Sequence, residues 1–269
     1  MTMPMLPGEH PLELAVALAG VCETAPTPGS AASVREAFAW ANRAGFRGVC
    51  LDGTVAGLRA RDLDRSARRD LAASMRRVGL ASAGVDLFLP PDHLLDSRWV
   101  DRAIGAATGA LGLAADLASL TTGHAVVCMN LPPTDAPPEW MGALIAEAQR
   151  IGARLADCAW PRSAHADASG PVGVGIDAAA VLAGGADPAA EIARAGTLLA
   201  AVRMSDWDGA SRVPIGRGRL DELAFRVAIH TCAPPGMVMV DARGTPDPRA
   251  AAEWAAARCG AVRPDAGTR

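Results

Sequence analysis

Short apolar runs alternate with amphipathic stretches along the whole chain. Eight runs read as strands: 12–20, 46–52, 80–89, 125–131, 153–159, 172–177, 198–206 and 236–241. Between them, stretches such as "SVREAFAWANRAG", "RSARRDLAASMRRVG", "VDRAIGAATGALGLAADLASL" and "PEWMGALIAEAQRIG" repeat apolar residues at the helical period. Ser33 with Glu36 forms a capping box, and Gly45, Gly79 and Gly152 stand where helices should stop. Eight strands with intervening helices predict an α/β fold, a single (β/α)8 TIM barrel over 1–269, with flexible ends at about 1–10 and 260–269. A doubly wound sheet is the competing solution, but no glycine-rich nucleotide loop follows any early strand. One unit departs from the pattern. After the fifth strand, "PRSAHADASGP" is too polar and turn-rich for a full helix, so that helix is expected to be shortened or missing.

The strands mostly end on a polar group: Asp52, Asp86, Asn130, Asp157, Asp177, then Arg203 to Asp206, then Asp241. In a barrel these C-terminal ends converge on one mouth, where active sites of this fold lie. Helix N-caps account for one or two of the acids, such as Asp52 and Asp206. They do not account for the acids in "RLADCAW" and "MVMVDARG", or for the arginine in "VRMSDWDG". A buried guanidinium requires acidic partners. Neighbouring strands lie about 4.8 Å apart, so Arg203 is expected to bridge Asp177 and Asp241; otherwise it faces the helical layer.

Composition narrows the chemistry. There is no lysine and no tyrosine, and all 26 basic side chains are arginine. Schiff-base lysines and tyrosine proton donors are therefore excluded. The net charge of −3 and pI near 6.0 argue against nucleic acid as a partner. The six cysteines are scattered without metal-ligand spacing and read as buried hydrophobes in a reducing, cytoplasmic setting. "LELAVALAGVC" lacks a preceding basic residue and contains Glu13, so it reads as a first strand, and no run approaches a membrane span. His93, in "DLFLPPDHLLD", is the histidine best placed for proton transfer. His165 could join the site, while His124 and His230 read as structural. "PIGRGRLD" offers backbone amides, Arg217 and Arg219 to an anion, and Trp160 and Trp207 could stack on a sugar ring.

The stretch "VGVGIDAAAVLAGGADPAAEIARAGTLLAAVRMSDWDGASRVPIGRGRLD", with the later "VMVDARGTPDP", resembles the C-terminal half of xylose isomerase-like TIM barrels, the sugar phosphate isomerase/epimerase group. The matching pieces are Asp177, "RMSD", "PIGRG" and Asp221. The resemblance implies proton transfer on a small sugar, sugar acid or polyol. It also implies a divalent metal held by a Glu, an Asp, a His and a final Glu on late strands. Asp177 matches the Asp, but Arg203 stands in place of the His and Asp241 is shorter than the final Glu. The fifth strand offers only Asp157 or Cys158, and the family's catalytic His is Ala180 here. An arginine cannot ligate a metal and repels one nearby. A metal-free site is therefore expected, with Mg²⁺ or Mn²⁺ on Asp157, Asp177 and Asp241 as the alternative. The candidate proton-handling groups are Asp157, Asp177, Asp241 and His93. Arg203, Asp86, Asn130, Asp206, Trp207 and Arg217 are the candidates for contacting a small carbohydrate. The alternative function is a non-catalytic carbohydrate-binding or regulatory barrel. A homo-oligomer is left open, and no membrane partner is expected.

Overall fold

The structure, a computed structural model, describes residues 12–22, 30–134, 138–167, 170–232, 234 and 236–260. The chain ends expected to be flexible lie outside these, apart from Gly260. Eight strands close a parallel barrel: β1 (Leu14–Ala17), β2 (Gly48–Asp52), β3 (Ala81–Asp86), β4 (Val126–Met129), β5 (Arg154–Asp157), β6 (Val172–Asp177), β7 (Leu199–Met204) and β10 (Val238–Val240). Around the ring the order is β1, β10, β7, β6, β5, β4, β3, β2. A small antiparallel ribbon, β8 (Asp206–Trp207) with β9 (Arg212–Val213), follows β7. The helices are α1 (Ala31–Arg43), α2 (Arg65–Arg77), α3 (Val100–Thr121), α4 (Glu139–Ile151), α5 (Ala178–Ala183), α6 (Pro188–Ala195), α7 (Glu222–Cys232) and α8 (Pro248–Arg258). The segment after β5 carries no helix among its described residues, as its polar sequence predicts, whereas β6 is followed by two short helices.

Two details differ from expectation. Helix α1 starts three residues early: Ser30, not Ser33, is its N-cap, and its hydroxyl accepts the Ser33 N–H at 3.2 Å. Helix α3, 22 residues long, is long and apolar enough by length and composition to cross a membrane. It nevertheless buries Ala107, Leu111, Ala114 and Leu117 and packs on β3, β4, α2 and α4, the behaviour of a core helix.

The barrel interior is unusual in its small side chains. A distinct buried cluster contains Ala15, Cys50, Cys128, Ala156, Cys158, Ala201 and Met239. Bulky branched residues normally fill such a lumen. Here Val126 is the one branched residue of that cluster, and others occupy the layer between barrel and helices, among them Val16, Leu51, Val85, Val127 and Ile176. The space inside is taken by Arg203, the largest fully buried side chain. Gly175 helps to make that room, since a Cβ there would stand 2.3 Å from Cys158 Sγ.

Candidate active site at the barrel mouth

Inward-facing positions of a barrel strand alternate with outward-facing ones. On β7 that alternation turns Arg203 into the lumen, where it is 0 % exposed. Its Nη1 and Nη2 donate to Asp86 Oδ1 and Oδ2 at 2.5 and 2.9 Å, a two-pronged pair. Nε and Nη2 donate to Asp241 Oδ2 at 3.2 and 3.0 Å. The expected partner Asp241, on the neighbouring strand, is therefore present. The other expected partner, Asp177, is not. Its register places it beside Arg203, but the guanidinium extends across the lumen to Asp86 on the opposite strand.

Asp177 is engaged from above instead. Its Oδ2 accepts Arg212 Nη2 at 2.5 Å and Arg243 Nη2 at 3.1 Å, and its Oδ1 accepts the Ser205 hydroxyl at 2.8 Å. Arg212 and Arg243 also reach Asp241 Oδ2, at 3.3 and 2.8 Å. Neither arginine was anticipated from the sequence. Arg212 is delivered by the ribbon: Asp208 Oδ1 accepts the N–H groups of Ala210 and Ser211 at 2.7 and 2.9 Å, Gly209 turns at φ 114°, and β9 returns with Arg212 opposite Trp207. Arg243 follows Asp241 by two residues, and its N–H binds Asp241 Oδ1 at 3.1 Å. The Phe88 ring lies against both layers, its centre 5.1 Å from the guanidinium carbon of Arg203 and 3.9 Å from that of Arg243. The side chains of Arg212 and Arg243 are 20 and 23 % exposed, so they form the solvent-facing floor of the mouth.

Electrostatics divides the aspartates. Burial pushes Asp241 upward, but Arg203, Arg243 and Arg212 together outweigh it and hold the carboxyl well below the usual range. Burial raises Asp86 above its ordinary value, against the opposing pull of Arg203. For Arg203 the two carboxylates outweigh burial, so its pKa rises further and the charge is permanent.

Asp157, at the end of β5, belongs to a second group. Its Oδ1 accepts the N–H of Leu131 and of Ala159, both at 3.0 Å, and its Oδ2 accepts the Ser163 hydroxyl. Burial raises its pKa, and these hydrogen bonds and His165 only partly oppose the rise. His165 is itself buried, with Nε2 3.2 Å from Thr134 Oγ1 and 3.3 Å from the Pro132 carbonyl oxygen.

The remaining sequence candidates have other surroundings. Asp206 is 1 % exposed and accepts four backbone N–H groups, from Trp207 (2.8 Å), Gly216, Gly218 and Leu220 (2.9 Å each). It thereby holds the "PIGRG" turn from within. Asp52 caps its own turn through Thr54. Asn130 is half-buried just past β4, and Trp207 is half-buried on β8. Arg217 is exposed, 5.5 Å from the Trp254 ring centre on α8. His93 stacks on Trp99 and lines a separate cavity rather than joining the arginine–aspartate cluster.

No protein-family profile matches the chain, and no curated protein matches it. Solved structures do. An L-ribulose 3-epimerase superposes with a TM-score of 0.69 at 16 % identity, over 92 % of this chain and 93 % of that one. The 3-keto-D-glucoside 4-epimerase of E. coli gives 0.69 at 15 % identity, over 93 and 100 %. A xylose isomerase domain protein of Planctomyces limnophilus gives 0.65 at 14 % identity, over 93 and 96 %. The chain shares with these three proteins the fold of a closed (β/α)8 barrel.

The sequence resemblance implies a divalent ion among the late strands of such a barrel. Both oxygens of Asp86 and the Oδ2 atoms of Asp177 and Asp241 are held by guanidinium groups, whose charge would repel an ion. Among the described residues, no three or more His, Cys, Asp or Glu side chains are gathered as a metal site would require.

Proposed function

We propose that the protein is a sugar isomerase/epimerase-type barrel that works on a small carbohydrate at this mouth without a divalent ion. The observation that carries the proposal is the Arg203 guanidinium clasped by Asp86 and Asp241 in the barrel centre. A fixed positive charge there supplies what an ion would supply electrostatically, attraction for oxygen carrying negative charge. The half-exposed Arg212 and Arg243 are the groups that would meet a hydroxyl, carboxylate or phosphate of the substrate. Asp157 is the proton-handling group. Its raised pKa brings it closer to neutrality than Asp241, and among the described residues its Oδ2 accepts a hydrogen bond only from the Ser163 hydroxyl. In the step envisaged, Asp157 removes the proton from the carbon beside a carbonyl. The electron pair moves onto the carbonyl oxygen, giving an enediolate that faces the arginines. The proton then goes to the former carbonyl carbon while the adjacent hydroxyl proton passes to the former carbonyl oxygen, which completes an aldose–ketose isomerisation; epimerisation instead needs a proton delivered by water or a second acid to the opposite face of the same carbon.

A second function, a barrel that binds carbohydrate without turnover, is favoured by the state of Asp241. A carboxylate held low by the charges of Arg203, Arg243 and Arg212 is a weak base. One experiment separates the two: proton NMR in deuterium oxide with a panel of ketoses, aldoses, sugar acids and sugar phosphates, beside a thermal-shift screen of the same compounds. An active enzyme exchanges the proton next to the carbonyl, loses the exchange in Asp157→Asn, and is indifferent to chelator. Exchange abolished by chelator and restored by Mn²⁺ would overturn the metal-free reading. A thermal shift with no exchange would establish the binding protein.

A further inference from the structure

Outside the mouth, a cavity of about 780 Å³ lies between the segment that links β2 to α2 and the first turns of α3. Its size falls within the usual range for small-molecule sites, about 300–1,000 Å³, and far exceeds a packing defect. Its lining is one-sided in charge: four arginines and a histidine, and among the described residues no Asp or Glu. Arg68 is neutralised by Asp116 at 2.6 Å, and Arg61 has Asp62 at 3.8 Å. Arg59 and Arg102 have no ion pair among the described residues. Arg59 Nε donates to the Thr54 carbonyl at 2.9 Å, and Arg102 lies 5.7 Å from the Trp99 ring centre.

The lining also has a flat wall. The rings of His93 and Trp99 stack with centres 5.2 Å apart and planes 18° from parallel, and Trp99 is 39 % exposed. Facing space is left by Gly105, where a Cβ would have no atom within 4 Å. One strand end serves both sites. Asp86 and Phe88 face the mouth, while Leu87 and Leu89 line the cavity.

We propose that this cavity is a second ligand site, for a planar ring bearing an anionic group. The ring lies along Trp99 and His93 over the small residues of α3, and the anionic group meets Arg59 and Arg102. Such a ligand answers both features of the lining: a flat ring stacks on Trp99 and His93, and an anion pairs with two guanidinium groups that have no ion pair among the described residues. The proposal does not depend on what happens at the mouth.

Calorimetric titration of the full chain with adenosine monophosphate and, separately, with 1-naphthoate tests it and tells a phosphate from a carboxylate. At least one probe should bind with a Kd below about 1 mM. Gly105→Leu should weaken that binding by about tenfold or more by filling the cavity. Leucine is also a better helix former than glycine, so the melting temperature should hold or rise. Arg102→Gln should weaken binding about fivefold and flatten its salt dependence. Asp157→Asn, at the mouth, should leave the affinity unchanged. The proposal is overturned if neither probe gives heat at about 1 mM, if Gly105→Leu binds like the parent, or if Asp157→Asn is the variant that loses binding.

Discussion

Arg203 on β7 and Asp86 on β3 meet in the centre of the barrel from strands that stand opposite each other in the ring, joined by hydrogen bonds of 2.5 and 2.9 Å. The two strands share no ladder, so this pair ties together halves of the barrel that backbone bonding connects only the long way round. Its position explains the small interior. A guanidinium reaching across the lumen leaves space for Ala, Cys and Gly beside it, not for Leu or Ile. It also explains why the charge is tolerated so deep, since Asp86 and Asp241 both hydrogen-bond it.

Arg203→Met keeps most of the aliphatic stem and removes the charge, leaving buried Asp86 without its guanidinium while Asp241 keeps Arg212 and Arg243. A destabilisation of about 3–5 kcal/mol is expected, measured by urea denaturation. Arg203→Lys should recover only part of it, because an ammonium cannot make two parallel bonds to one carboxylate. Combining Arg203→Met with Asp86→Leu should recover more, because the lumen then holds one fewer unpaired charge. A double variant as unstable as the sum of its singles would show that the two residues do not act as a pair.

Asp241 and Asp157 should give the stability curve opposite slopes. Asp241 is held low, so its stabilisation is full above the unfolded value of about 4 and is lost as pH falls through the folded value. Asp157 is pushed up, so the folded chain keeps a proton that the unfolded chain has released. Stability linked to it therefore falls as pH rises from about 4 through the folded value. Relative to the parent, Asp157→Asn should gain stability over that rise, and Asp241→Asn should lose the acid-side dependence. Denaturation curves stepped through that range check both. Parallel curves for parent and variants would contradict the assignment.

The barrel was legible in the sequence because its eight strands are apolar runs bounded by helical periodicity, and the missing helix after β5 was legible because "PRSAHADASGP" cannot bury a face. The choice of partner for Arg203 was not. Sequence order suggests adjacent strands, but a side chain this long selects by reach across the lumen, and Asp86 is far away in sequence. Arg212 and Arg243 were missed for a related reason. Each reaches Asp177 through a local turn: the Asp208–Gly209 ribbon turn, a hairpin signal, for one, and the bend after Asp241 for the other. Reading "DG" as a hairpin would have brought Arg212 back over the mouth. Asp206 was read as a cap or ligand contact, whereas its four acceptor bonds are only apparent once the turn closes around it.

The thiols should be quiet. Cys50 and Cys158 are fully buried in the barrel, and their pKa values are raised: Cys50 chiefly by burial and the Asp86 charge, Cys158 by its hydrogen bond with Cys128 and by burial. Thiolate is the reactive form. Of the six cysteines only Cys232 is half-exposed. Native protein with a colorimetric disulfide reagent should therefore release at most one equivalent quickly, with all six reacting in denaturant. Rapid reaction of the barrel cysteines would mean that the lumen opens in solution.

Asp206 gathers the backbone donors of a turn around one buried carboxylate. Its oxygens bind four N–H groups, and removing it in Asp206→Ala leaves Gly216, Gly218 and Leu220 N–H groups without an acceptor. Hydrogen bonds to a charged group contribute about 1.5–3 kcal/mol each, although water will reach the outer ones. A loss of roughly 3 kcal/mol or more is therefore expected. Asp206→Asn should fare little better. Its amide can keep one oxygen toward Trp207 and Leu220 but must then turn an NH₂ toward Gly216 and Gly218, donor against donor. Gly218→Ala tests the same closure from the other side, because its Cβ would sit 2.3 Å from Asp206 Oδ1 and 2.6 Å from the Trp207 carbonyl oxygen. All three variants should lower the melting temperature, and amide exchange should speed up at Gly216 and Leu220. Unchanged protection at those two amides in Asp206→Ala would mean that the turn is held by something other than this carboxylate.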